Sequence, residues 1–247
     1  MLIILVLKLM FTQLSKFKDE SLELICIFKI ILEKHMKTTL LFWTGIISVA
    51  FFVLTTILGG FLYPNYSHIS QFISESYAID APKADLLRYF GYLPSGILFI
   101  LFSLFSIKAL PKSAINTIGF IGVGFGYGFG TIICSVFNCD AGCNPKFINP
   151  SLSQFIHNSM GFVTYMIVPF SVLLIGIASR KWKNGAQLST ISYLVFIISF
   201  LFVMILNANL DSPYKGLIQR IIEGSILFWI IYSSFSYKKI LSTNRNL

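Results

Sequence analysis

Six runs of this chain are long and apolar enough to cross a lipid bilayer as helices, and nothing else constrains its fold as strongly. They are Leu40–Leu62, Tyr89–Ile107, Ile115–Phe137, Phe155–Ser179, Leu188–Leu206 and Gly216–Tyr237. A hydrocarbon layer of about 30 Å takes about 20 residues of α-helix. The runs are continuous and do not alternate apolar with polar, which reads as helix and not as barrel strand. Across 247 residues the chain is 55% hydrophobic and only 12% charged, with a mean hydropathy of +0.78. That is too apolar for a soluble domain of this length. The expected fold is all-α, an integral membrane bundle of six transmembrane helices.

Charge placement then orients the bundle. Fourteen of the 19 basic residues lie before the first run, in the second-to-third and fourth-to-fifth connections, or after the sixth run. The opposite loops hold Lys83, Arg88, Lys146, Lys215 and Arg220 beside six acids. Basic flanks are retained on the cytoplasmic side, so both termini are expected in the cytoplasm. The net charge of +9 is thereby used up as a topology signal. No basic groove with interleaved aromatics remains, and no nucleic-acid partner is expected.

Residues 1–35 differ from the rest and read as an N-terminal extension. Met1–Phe11 is apolar but too short to span, and Leu22–Leu32 carries Glu23 and Lys29. Met36 opens "MKTTLLFW" and looks like a natural start, unless 1–35 forms an interfacial amphipathic helix. The membrane domain is placed at 36–240 and a short cytoplasmic tail at 241–247.

The third run contains "GFIGVGFGYGFG". At helical spacing Gly122, Gly126 and Gly130 share one stripe, and Gly124 and Gly128 an adjacent one, so this helix is expected at the centre with neighbours packed close. A nucleotide-binding glycine loop would need a strand, turn and helix that are missing here. Pro94 and Pro169 fall inside the second and fourth runs and are expected to kink them or to mark shifted ends.

Any chemistry must lie in the loops opposite the basic side. In "YPNYSHISQFISESYAIDAP", a helix from Ser67 would put Ile69, Phe72, Ile73 and Tyr77 on an apolar face and His68, Gln71 and Glu75 on a polar one. Ser67, Ser70, Ser74 and Glu75 are its candidate polar groups. The second loop, "FNCDAGCNP", pairs Cys139 with Cys143 around Asp140 and Gly142. Three readings stay open there: a disulfide across a tight turn, a zinc site of Cys139, Cys143 and His157 completed by Asp140 or His68, or independent thiols. His157 begins the fourth run in "QFIHNSMGF". In "SPYKGLIQRIIEGS", Gln219 and Glu223 are four apart and Arg220 and Glu223 three apart. An ionisable Glu223 two turns into a span needs a partner, and Arg220 is the nearest. Glu75, Asp140, His157, Arg220 and Glu223 are expected to converge at one mouth.

"ISQFISESYAIDAP", "CDAGC", "QFIHNSMGF" and "GLIQR" resemble, in this order, the domain-of-unknown-function family 998 of multi-pass membrane proteins, over residues 40–237. The resemblance implies a six-helix membrane domain whose marked positions lie on the outer side. The matching residues here are Ser74, Glu75, Cys139, Asp140, Cys143, His157, Gln219 and Arg220.

Two functional readings follow. The first is a binding or transport protein for a lipid or small molecule, with Ser74, Gln219 and Arg220 as binding residues at the outer mouth. The alternative is a hydrolase or transferase acting on a lipid head group, with His157, Asp140, Glu75 or Glu223 as acid and base and Arg220 holding an anion. Seven-helix lipid hydrolases with three histidine ligands match poorly, because His35 falls on the opposite side. No cofactor is expected apart from the zinc alternative. The partners are the lipid bilayer and a lipid or small-molecule ligand, and the compact loops point to a bacterial inner membrane.

Overall fold

In a computed structural model, residues 36, 38–144 and 146–243 are described; the expectations for residues 1–35 lie outside them. The described chain forms six long helices: α1 (Thr38–Leu62), α2 (Ala84–Ala109), α3 (Ala114–Val136), α4 (Leu152–Ser179), α5 (Ala186–Ala208) and α6 (Lys215–Thr243). Each begins within a few residues of an apolar run, except α2, which starts five residues before Tyr89. α6 continues past 240 to Thr243, so the expected tail begins inside a helix.

The side chains are sorted as lipid solvent requires. Large apolar groups face outward, including Phe61 at 83%, Phe90 at 72% and Leu152 at 74% exposure. The interior sets Ser48, Ser95, Ser103, Ser106, Ser192 and Ser199 among apolar groups such as Phe99, Ile222 and Trp229. Small polar residues let helices approach, and all of these except Ser103 return their hydroxyls to backbone carbonyls. Polar bonds also cross between helices: Ser95 donates to the Ser48 carbonyl at 2.9 Å, Thr164 to the Gly126 carbonyl at 2.7 Å and Trp229 Nε1 to the Ser192 hydroxyl at 2.8 Å. Five helices, α1 to α5, are long and apolar enough to cross a membrane. α6 is not among them, because Gln219, Arg220 and Glu223 lower the hydropathy of its first half and Lys238 and Lys239 that of its end.

Each helix packs on its successor, and α6 closes the ring on α1, where the Phe42 and Phe235 rings lie 5.1 Å apart. The two glycine stripes of α3 meet two different neighbours. Gly122, Gly126 and Gly130 face Ser171, Val168 and Thr164 of α4, while Gly124 and Gly128 face Ser103 and Ile100 of α2. Pro94 cannot donate a backbone N–H, and the turn before it, Arg88–Tyr92, widens into a π-helix closed by Leu93 N–H to the Arg88 carbonyl. The helix thus absorbs the proline by adding a residue to one turn. α4 runs through Pro169 as one helix.

The connections α1–α2, α3–α4 and α5–α6 meet at one end of the bundle, here called the capped end. The α1–α2 connection differs from the amphipathic helix expected from Ser67. Only Ile73–Tyr77 is helical, as one 3₁₀ segment, and its buried face includes Glu75. The physical reason is that α6 supplies the hydrogen-bond partners a local helix would otherwise provide. Leu217 N–H donates to the Ile69 carbonyl at 2.9 Å, and Gln219 Oε1 accepts from Ile73 N–H at 2.7 Å.

Candidate functional site

Beneath this cover lies a cavity of about 340 Å³ lined by residues of all six helices, α1 contributing Phe52. Its walls are largely aromatic, with Phe72, Tyr77, Tyr92, Tyr127, Phe162 and Tyr165 among the lining residues. Glu223 enters from α6 and is 8% exposed. Its Oε2 accepts from the Tyr127 phenol at 2.5 Å and its Oε1 from the Tyr165 phenol at 2.8 Å. Tyr165 in turn accepts from Gln219 Nε2 at 2.9 Å. One chain of bonds therefore runs from the cover's Ile73 N–H through Gln219 and Tyr165 to the carboxylate. Such a network orders every group in it, since each has only one arrangement that satisfies the others.

Arg220, expected as the partner of Glu223, is elsewhere. It sits almost a full turn away on α6 and points toward the helix N-terminus, as helical side chains do. Its Nη1 donates to the carbonyls of His68, Gln71 and Gly216 at 2.8, 3.0 and 2.9 Å, and its Nη2 to the Tyr66 hydroxyl at 2.7 Å. The Tyr66 phenol, pushed above its ordinary pKa chiefly by burial, keeps the proton it donates to the Phe72 carbonyl. Arg220 is thus a latch that binds the cover, and four acceptors already occupy its guanidinium.

The other expected site residues divide. Ser74, His157 and Gln219 line the cavity with Glu223. Glu75 does not; it accepts from Phe72 N–H at 2.9 Å and Gln71 Nε2 at 3.2 Å and pairs with Lys215 at 3.4 Å, which ties the cover to the start of α6. Asp140 also lies off the cavity, where its Oδ2 accepts at 3.0 Å from the N–H of Ser151, the residue that caps α4. Hydrogen bonds from the Ser151 hydroxyl and N–H hold its carboxyl below the usual range, which makes it a weak base. The expected convergence of five ionisable groups therefore reduces to His157 and Glu223. His157 Nδ1 lies 2.8 Å from the Phe137 carbonyl. A carbonyl only accepts, so Nδ1 carries a proton, and in the neutral form of the ring the lone pair is on Nε2.

Of the three readings of the cysteines, the disulfide is the one formed. Cys139 and Cys143 are joined, with Cα atoms 4.8 Å apart, and Gly142 supplies a φ of +58° in the turn. The alternative zinc site is not assembled: its two sulfurs are bonded to each other, and among the described residues no three His, Cys, Asp or Glu side chains gather around a point. The bridge supports the cover from below. Ser74's hydroxyl is 3.3 Å from Cys143 Sγ, and Ile79 N–H donates to the Cys139 carbonyl at 3.0 Å. Alkylation in denaturant should add two further labels once a reductant is present, read by intact mass. An unchanged label count would show that the cysteines are not joined.

Tyr127 and Tyr165 were not marked by the sequence reading. Their signal was available: a phenol inside a span must find a partner for its hydroxyl, and Tyr127 is the one hydroxylated ring in a run of phenylalanines and glycines.

Outward apolar faces, small polar residues set among the buried apolar ones and a cavity that holds one buried carboxylate define a multi-pass helical membrane protein with an internal polar site. The chain belongs to the family described as "Protein of unknown function (DUF998)", which matches residues 46–235. Comparison with curated proteins and with solved structures gives no match.

Proposed function

We propose that the chain crosses a bacterial inner membrane six times with both termini in the cytoplasm, and that its capped, outer end binds or transports a lipid or small molecule. α6 supplies the sixth crossing. Its 29 residues extend about 43 Å at 1.5 Å per residue, and the charges in its first half, Arg220 and Glu223, are taken up by protein groups and spared contact with lipid. The excess of basic residues at the other end supports the orientation.

The observation that carries the reading is the cavity itself. Its volume of about 340 Å³ falls in the range of small-ligand sites, which are mostly apolar with a few placed polar groups. The cover over it is held largely by side chains, those of Arg220, Gln219, Lys215 and Glu75, which suits a gate. The head-group enzyme has less support, because Asp140 and Glu75 lie off the cavity and Arg220 is occupied by the cover.

Gly161 gives a direct test. A Cβ at this lining position meets nothing within 4 Å, so a side chain can start there without a clash, and Gly161→Phe is expected to put its ring into the cavity. Native mass spectrometry of the protein in lipid nanodiscs should detect a non-covalent adduct on the wild type that Gly161→Phe loses, with both proteins melting within a few degrees of each other. Equal retention by the two would overturn the reading.

A further inference from the structure

We propose that the ligand carries an organic ammonium group, with Glu223 as its counter-ion and the tyrosine rings as its cage. This rests on the cavity being a binding site, and it names the chemistry of the occupant.

The reasoning begins with a missing partner. Among the described residues, the ion pairs are Arg88 with Asp85 and Lys215 with Glu75. Neither involves Glu223, and no lysine or arginine lines the cavity. A buried carboxylate without a cation costs several kcal/mol, and within a membrane domain such a group usually marks a functional site. The phenols of Tyr127 and Tyr165 offset part of that cost as donors but bring no positive charge. A cation entering the cavity completes the pair.

The walls favour the same ligand. Tyr77, Tyr92, Tyr127 and Tyr165 bring four aromatic rings to one cavity, and ring faces attract cations, most of all weakly hydrated alkylammonium groups in a desolvated site. Phosphate or carboxylate ligands would meet the charge of Glu223 with no lysine or arginine to offset it, and the one imidazole in the lining, His157, turns its Nδ1 proton to the Phe137 carbonyl. A neutral ligand would leave that charge unpaired. Phe162, Leu206 and Leu210 line the cavity as well and offer an apolar surface for the rest of the molecule. A free amine and an amine-bearing lipid head group share this chemistry.

The test uses two probes of one shape, choline and 3,3-dimethylbutanol, which differ by a quaternary nitrogen in place of carbon. Binding is measured by calorimetry on the full chain in nanodiscs, for wild type, Glu223→Gln and Gly161→Phe. Wild type should bind choline at least about tenfold more tightly than the alcohol, or about 1.4 kcal/mol. Glu223→Gln should bring the two to parity without weakening the alcohol, and Gly161→Phe should lose both. Parity in the wild type, with both probes lost in Gly161→Phe, would overturn the ammonium assignment and leave the cavity reading standing. Binding unaffected by Gly161→Phe would overturn the cavity reading itself. Failure of wild type to bind choline, or choline binding unchanged in Glu223→Gln, would also overturn the assignment. Nanodiscs of mixed phosphatidylcholine and phosphatidylglycerol separate the sources. Phosphatidylcholine retained by wild type and lost from Glu223→Gln identifies a lipid head group; choline binding with no retained lipid identifies a soluble amine.

Discussion

Gly128→Val should prevent the bundle from assembling. In this structure α2 and α3 touch backbone to backbone. A Cβ at Gly128 would lie 2.9 Å from the Ile100 nitrogen and 3.1 Å from the Gly96 carbonyl, and one at Gly96 would lie 2.8 Å from the Gly128 carbonyl. Side chains can rotate away from an intruding methyl, but main chain in a helix cannot. Overpacking ordinarily costs about 1–3 kcal/mol; with rigid backbone as the obstacle and two further methyls on valine, a loss of at least about 3 kcal/mol is expected. The membrane supplies little hydrophobic drive to restore the contact once the helices part, because lipid tails are as apolar as the residues they would cover. The measurement is melting temperature and monodisperse yield in detergent, with Gly161→Ala as the control. A methyl at Gly161 meets open space, so the control should melt with the wild type. If Gly128→Val also melts with the wild type, the close approach of α2 and α3 does not hold the bundle together.

Helices α1 and α3 illustrate what could be read from residue order. Helix positions were legible because a bilayer demands length and apolarity from each segment on its own, before any neighbour is chosen. The starts at Leu40 and Ile115 therefore lie within two residues of the helices at Thr38 and Ala114. The glycine stripes were legible for a related reason, since spacing on one helix fixes which residues share a face. The cover was not legible. Ser67–Tyr77 has the periodicity of an amphipathic helix, yet it folds against α6, because Gln219 and Arg220 satisfy its backbone from more than 140 residues away in the chain. For the site, Glu223, Gln219, His157 and Ser74 could be found as polar residues near span ends. The Arg220–Glu223 pairing was misleading, since a three-residue spacing permits a contact without requiring it. Here the carbonyls of the cover offered the guanidinium more hydrogen bonds than one carboxylate could.

Arg220→Ala should open the cover while leaving the bundle folded. The guanidinium joins the carbonyls of His68 and Gln71 and the hydroxyl of Tyr66 to α6, and the Tyr66 ring lies 5.6 Å beneath it. Hydrogen bonds to a charged group contribute roughly 1.5–3 kcal/mol each. Arg220 is only half-buried, so water recovers part of that when the arginine is removed, and a net loss of about 3 kcal/mol is expected. This corresponds to a rise of more than roughly a hundredfold in the open population of the cover. Three remaining ties to α6, Leu217 to Ile69, Gln219 to Ile73 and Lys215 to Glu75, set a limit on how far it opens. The core packing of α6, including Trp229 and Ile222, does not involve the arginine, so the melting temperature should fall by only a few degrees. Arg220→Lys should recover little, because a single ammonium cannot span acceptors that a planar fork reaches together. Two readouts separate opening from unfolding. Hydrogen exchange should accelerate over residues 66–77 but not in α3 or α4, and Cys134, a free thiol lining the cavity, should react faster with N-ethylmaleimide in proportion. Unchanged exchange over 66–77 would mean the cover is held by its remaining ties, and acceleration throughout the chain would mean Arg220 is a general stabiliser with no specific role as a latch.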